Sequence, residues 1–104
     1  MEARVIISTV GSAEVGENLI RKLLEKRLIA CGNLFPKGVS LYHWQGKIER
    51  DEEQVVLLKS TKGKLGELEE AFKEHHPYDV PEFVVLTPES LSEGYQSWLL
   101  ETLS

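Results

Sequence analysis

The order in which two kinds of apolar spacing follow one another constrains this chain more than any other feature. Val5-Ile6-Ile7 is a β-branched run closed by Gly11, and it reads as a buried strand. Val15, Leu19, Ile20, Leu23, Leu24 and Leu28 then recur at helical spacing, with Ser12 placed as an N-cap and Glu14 in the first turn. Lys22, Lys26 and Arg27 sit near the end of that stretch, where cations suit the helix dipole, so the spacing predicts a helix over 13–28. Ile29-Ala30-Cys31 and Leu34-Phe35 return to a strand, interrupted by Gly32 and bent at Pro36-Lys37-Gly38. Val39 to Trp44 resumes it, Gln45-Gly46 supplies a turn, and Lys47 onward is the partner strand. The Glu49–Gln54 stretch is almost wholly polar, and is either an exposed arm of this hairpin or an irregular break. Val55-Val56-Leu57-Leu58 beyond it reads as central and buried. Thr61 or a neighbour caps a second helix marked by Leu65, Leu68 and Phe72, which His75-His76 close before Pro77. Phe83 to Leu86, between Pro81 and Pro88, is another strand, and Ser92 caps a short last helix with Tyr95, Trp98 and Leu99 on one face.

Read in order, these segments give β-α-β-β-α-β with an added C-terminal helix. That is the ferredoxin-like α+β pattern, an antiparallel sheet with helices on one face. With 104 residues the chain has room for one domain, 1–104, and not for two. A charged fraction of 28% beside an apolar fraction of 41% suits a folded domain. The formal net charge of −5 argues against nucleic acid as a partner, since each phosphate contact needs a Lys or Arg. No apolar run is long enough for a membrane span. Cys31 is the single cysteine and cannot form an internal disulfide, and Met1-Glu2-Ala3-Arg4 does not open a signal peptide. A cytoplasmic location is expected.

The hairpin is long for a small domain and carries Tyr42 and Trp44 near its tip. A lone two-stranded arm is marginal in water and an open edge invites another chain. Tyr42 and Trp44 are therefore expected at an interface between subunits, the alternative being that they fold back onto the last helix of their own chain.

Four segments carry a resemblance to a known family. They are Glu25-Lys26-Arg27-Leu28-Ile29-Ala30-Cys31, the hairpin Ser40-Leu41-Tyr42-His43-Trp44-Gln45-Gly46-Lys47-Ile48-Glu49, His75-His76-Pro77-Tyr78-Asp79-Val80-Pro81-Glu82, and Tyr95-Gln96-Ser97-Trp98-Leu99. In that order they resemble the CutA family, named for divalent-cation tolerance. The resemblance implies a ferredoxin-like fold, a tight homotrimer built through the hairpin strands, an architecture like that of PII signalling proteins, and a link to copper and other divalent metals. It implies no enzymatic reaction and names no protein partner. In some bacterial relatives a first-strand cysteine joins the two histidines as a copper ligand, and Ser8 matches that position here. A hydroxyl is a much poorer soft-metal ligand than a thiolate.

His75 and His76 are the metal candidates, for copper or zinc, because neutral imidazole suits both. Adjacent helical side chains point about 100° apart, so the pair needs a further ligand. The alternative is that they only terminate the helix, one favouring the dipole and one donating a hydrogen bond. Cys31, the other soft ligand, lies in an apolar context that suits packing. Lys59 and Glu82, with Trp44 from a neighbouring chain, could form a small-ligand cleft or a plain ion pair. Glu49, Asp51, Glu52 and Glu53 form an acidic run that attracts cations loosely or is simply a solvated face. Ser8 and Ser60 have no readable base partner, Gly63-Lys64-Leu65-Gly66 lacks the phosphate-loop spacing, and no basic-aromatic RNA-binding stretch is present. Two functions follow as leading expectations, with a purely structural assembly protein as a third. One is a trimeric, non-enzymatic protein of divalent-cation homeostasis. The other is a PII-like sensor that takes a small anion or metabolite in clefts between subunits.

Overall fold

One long strand organises the molecule. In the computed structural model, which describes residues 2–104, β4 runs unbroken over Lys47–Thr61 and pairs along its length with three others. These are β1 (Ala3–Val10), β2 (Cys31–Leu34) and β3 (Gly38–Trp44); β5 (Val84–Leu86) adds to the far edge of β1. All pairings are antiparallel and the order is β2-β4-β1-β5, with β3 lying on the first half of β4. Three helices complete the chain: α1 (Ala13–Glu25), α2 (Leu65–His75), which follows a 3-10 turn at Lys62–Lys64, and α3 (Glu93–Leu103).

The pairing register fixes which side chains share a face. Ile6 opposes Leu58 and Ser8 opposes Val56. Alternate residues point to one side of a pleated sheet, so these four form one face, all fully buried. Leu19, Ile20 and Leu23 of α1 and Leu68, Ala71 and Phe72 of α2 cover it and make the main core. The other face carries Val5, Ile7, Val55, Leu57, Val84 and Leu86. α3 covers only one end of it, through Leu99 and Leu103 packed with Ala3 and Ala30. The remainder is open, and Val55, Val84 and Leu86 are exposed.

The ferredoxin-like reading holds, with several differences in detail. The first helix stops at Glu25 and not at residue 28, because Arg27 takes a left-handed conformation with φ 55°. The Leu28 N–H bonds the Leu23 carbonyl at 3.0 Å and the Arg27 N–H bonds the Leu24 carbonyl at 3.0 Å, the paired bonds of a Schellman ending. The Arg27 guanidinium in turn donates to the Thr102 carbonyl of α3 at 3.0 Å. The strand expected over Ile29 to Phe35 is regular only over Cys31–Leu34. Its bend is held by Gln54, whose side-chain amide donates to the Phe35 carbonyl at 2.9 Å. Val55 to Leu58 are not buried on both sides, since the period-two alternation turns Val55 outward. Thr61 precedes the 3-10 turn without making a side-chain cap, whereas Ser12 and Ser92 both cap their helices as expected, accepting from the N–H groups of Val15 and Tyr95. On α3 only Leu99 and Leu103 are buried; the Tyr95 and Trp98 rings pack at a tilt, centroids 5.4 Å apart, and stay exposed.

The polar Glu49–Gln54 stretch is the arm and not a break. Gln45 and Gly46 both take positive φ, 50° and 78°, which closes a two-residue hairpin with the twist its strands require. The arm does not fold back on α3. Leu41 is 68% exposed, Ile48 74% and Trp44 51%, and the molecule extends over 44 × 26 × 24 Å.

Candidate functional site

The α2–β5 connection starts where α2 ends. His75 is the last helical residue, and His76 turns extended, with φ −83° and ψ 132°, its N–H still bonding the Phe72 carbonyl at 2.9 Å. The His76 ring then enters the core at 5% exposure. It packs 5.0 Å from the Phe72 ring and 4.7 Å from the Tyr78 ring. Its Nε2 lies 2.8 Å from the Thr9 carbonyl oxygen, and its Nδ1 accepts the Tyr78 backbone N–H at 3.1 Å. A carbonyl can only accept and an amide N–H can only donate. The partners therefore assign the proton to Nε2 and the lone pair to Nδ1.

The other two members of the expected metal set are placed differently. His75 is half-buried, and its Nε2 has no hydrogen-bond partner among the described residues. Ser8 is fully buried on the core side of β1, and its hydroxyl is likewise unpartnered. Among the described residues no group of three His, Cys, Asp or Glu side chains is placed to hold a metal ion. Ser60, the other serine considered as a nucleophile, donates to the Leu28 carbonyl at 2.6 Å.

Beyond His76 the chain runs beside the hairpin arm and the two enclose a groove of about 840 Å³. Tyr42, Trp44 and Tyr78 give it aromatic walls, and Asp51, Glu52, Glu53, Asp79 and Glu82 line it with five carboxylates and no Lys or Arg. Two of the carboxylates accept from the tyrosines: Tyr42 donates to Asp51, and Tyr78 donates to Glu53 at 2.8 Å. The hydrogen bond to Asp51 is the main cause that pushes the Tyr42 phenol up to about 12. Burial, then the bond to Glu53, push the Tyr78 phenol up to about 12. Both phenols are thus held as donors, because ionising them would set two negative oxygens side by side.

Of the expected cleft residues, Trp44 and Glu82 line this groove and Lys59 does not. Lys59 lies on the open sheet face opposite Cys31 and donates to the Asn33 side-chain oxygen. The half-buried Cys31 thiol is 3.9 Å from the same oxygen. Removing Lys59 from the groove removes the cation that would have received an anionic ligand within one chain.

Sequence reasoning assigned no role to Tyr78 or Asp79. The Tyr42–Asp51 bond had a signal, since a two-residue turn sets Tyr42 opposite Glu49 and Asp51 on the diagonal of the same face. The Tyr78–Glu53 bond had none, because it depends on where the α2–β5 connection crosses the arm.

The family profile described as CutA1 divalent ion tolerance protein matches residues 4–102. A protein of Thermus thermophilus named "Divalent-cation tolerance protein CutA" is 40% identical over 93% of this chain and 94% of its own length. The crystal structure of CutA1 from Oryza sativa superposes with a TM-score of 0.95 at 32% identity, covering 100% of this chain and 95% of that one. The structure of the "periplasmic divalent cation tolerance protein CutA" from Archaeoglobus fulgidus gives a TM-score of 0.94 at 31% identity, over 98% of this chain and 99% of that one.

Proposed function

The chain belongs to the CutA1 divalent ion tolerance family, and on that premise we propose that it acts in divalent-cation homeostasis as a non-catalytic homotrimer. The observation that carries this reading is the uncovered apolar surface. One sheet face is open around Val55, Val84 and Leu86, and the arm carries Leu41, Trp44 and Ile48 into solvent. Exposed apolar side chains on the open sheet face and on both faces of the arm mark interaction surface, and a projecting arm can reach the open face of another copy. Tyr42 and Trp44 belong to that interface. The groove's carboxylates supply a negative field that concentrates divalent cations, with no ligand cage among the described residues.

The assembly surface is tested by the double variant Leu41→Asp/Ile48→Asp. Both positions are exposed within one chain, so the charges cost the monomer little. Size-exclusion chromatography should show the variant moving to a smaller species than the wild type with its secondary structure intact. An unchanged elution volume would remove the arm from the interface.

A second reading is a PII-like sensor with a small ligand in the clefts between subunits. What favours it is the groove itself, walled by Trp44 and Tyr78. Its five carboxylates redirect the expectation from an anion to a cation, since an aromatic face beside carboxylates suits organic ammonium groups. Thermal-shift screening of organic cations against organic anions separates the two, because a ligand of the native state raises the melting temperature. No helix among the described residues is long and apolar enough to cross a membrane. We place the protein in the cytoplasm on its lone thiol; the Archaeoglobus relative carries "periplasmic" in its name, so cell fractionation is the test.

A further inference from the structure

We infer that His76 is the clasp of the α2–β5 connection and not a metal ligand, so that this chain holds no divalent metal at its helix-end histidines. A first-row metal needs the in-plane lone pair of a neutral imidazole nitrogen. His76 has one such lone pair, on Nδ1, and the Tyr78 N–H occupies it at 3.1 Å. The opposite nitrogen is 2.8 Å from a carbonyl oxygen, which requires its proton. Either nitrogen can be freed only by breaking a part-buried hydrogen bond and leaving a backbone group without its partner. The Phe72 and Tyr78 rings flank the imidazole and leave it 5% exposed, so it cannot turn outward in place.

The remaining candidates do not make up the loss. Ser8 offers a hydroxyl on the buried side of β1, a poor ligand for copper or zinc. His75 is then a single imidazole, and no set of three ligating side chains surrounds it among the described residues. Two obstacles therefore add up: Ser8 supplies a hydroxyl and no thiolate, and the His76 ring is already committed. The structure assigns the second as decisive. His76 ties the end of α2 to Thr9 of β1 and to the backbone of Tyr78, whose hydroxyl reaches Glu53 of β4. It is a positioning residue for the Tyr78 wall of the groove.

The test uses the full chain and the side-chain nitrogens of its histidines, read by long-range proton–nitrogen correlation. His76 should show Nδ1 unprotonated and Nε2 protonated, and one equivalent of Zn²⁺ should leave both signals in place. The Ser8→Cys variant separates the two obstacles: it replaces the hydroxyl with a thiol, and the His76 signals should still stay unmoved on adding Zn²⁺. In His76→Ala the Tyr78 amide should lose at least about tenfold of its hydrogen-exchange protection, while amides in the middle of β1 keep theirs. A stoichiometric Zn²⁺ shift of His76 in either protein would overturn the inference, as would a proton found on Nδ1. Unchanged protection at Tyr78 would remove the clasp. If His76→Ala does not fold, the wild-type and Ser8→Cys spectra still decide.

Discussion

His76 and Tyr78, two positions apart, bind the groove to the core by three hydrogen bonds that reach Thr9 and Glu53. The sequence shows a histidine pair before a proline, which is enough to end a helix. It does not show that both ring nitrogens are engaged, because one partner lies 67 residues away in the first strand. The tyrosines carry a prediction at this scale. Tyr42 and Tyr78 are pushed from the ordinary 10.0 up to about 12, and the Tyr95 phenol is also raised, chiefly by burial. A raised phenol favours the protonated form in the fold. Its contribution to stability is whole below the unfolded value of 10.0 and is lost as pH rises through about 12. Near-ultraviolet absorbance should therefore show phenolate appearing later in the folded protein than in the denatured chain. Coincident curves would mean that the tyrosine–carboxylate bonds do not persist in solution.

Among the elements, the alternation of two apolar periods was legible and gave the strands and helices in order. The end of α1 was not, because Leu28 keeps the four-residue spacing from Leu24 although the chain has already turned. A left-handed Arg27 is readable only once α3 is present to receive its guanidinium. Arg27→Gly is expected to hold or raise stability, within about 1 kcal/mol, since glycine takes positive φ without strain and loses only an exposed hydrogen bond. Arg27→Val should lower stability by at least about 1 kcal/mol, because a β-branched residue is penalised most in that region. Chemical denaturation of the two variants checks the ordering. The packing of α1 on β2 makes a second case. A Cβ at Gly32 would stand 2.7 Å from Ile20 Cγ2 and 3.0 Å from Ile20 Cγ1. Those atoms belong to a stiff β-branched side chain, so Gly32→Ala should cost about 1–3 kcal/mol in the same measurement. An unchanged midpoint would show that α1 moves away from the sheet without penalty. The polar arm stayed ambiguous in sequence for a related reason. Its contacts within the chain are polar, Glu53 with Tyr78 and Gln54 with Phe35, so its residues carry no apolar alternation for a period argument to detect.

For the molecule as a whole, the ferredoxin-like architecture followed from element order, and its family from four segments spread along the chain. The expected cleft takes Trp44 from a neighbouring chain; within one chain Trp44 and Glu82 line one groove, while Lys59 is drawn to Asn33 on the open face. Strand register decides that separation, and composition carries no trace of it. The exposed side of the sheet and the projecting arm are the surfaces that the proposed homotrimer would cover. Light scattering on the wild-type protein across micromolar concentrations tests this directly. The account predicts one well-folded species of about three times the 11.8 kDa chain mass. A stable, folded species at 11.8 kDa over the whole range would contradict it.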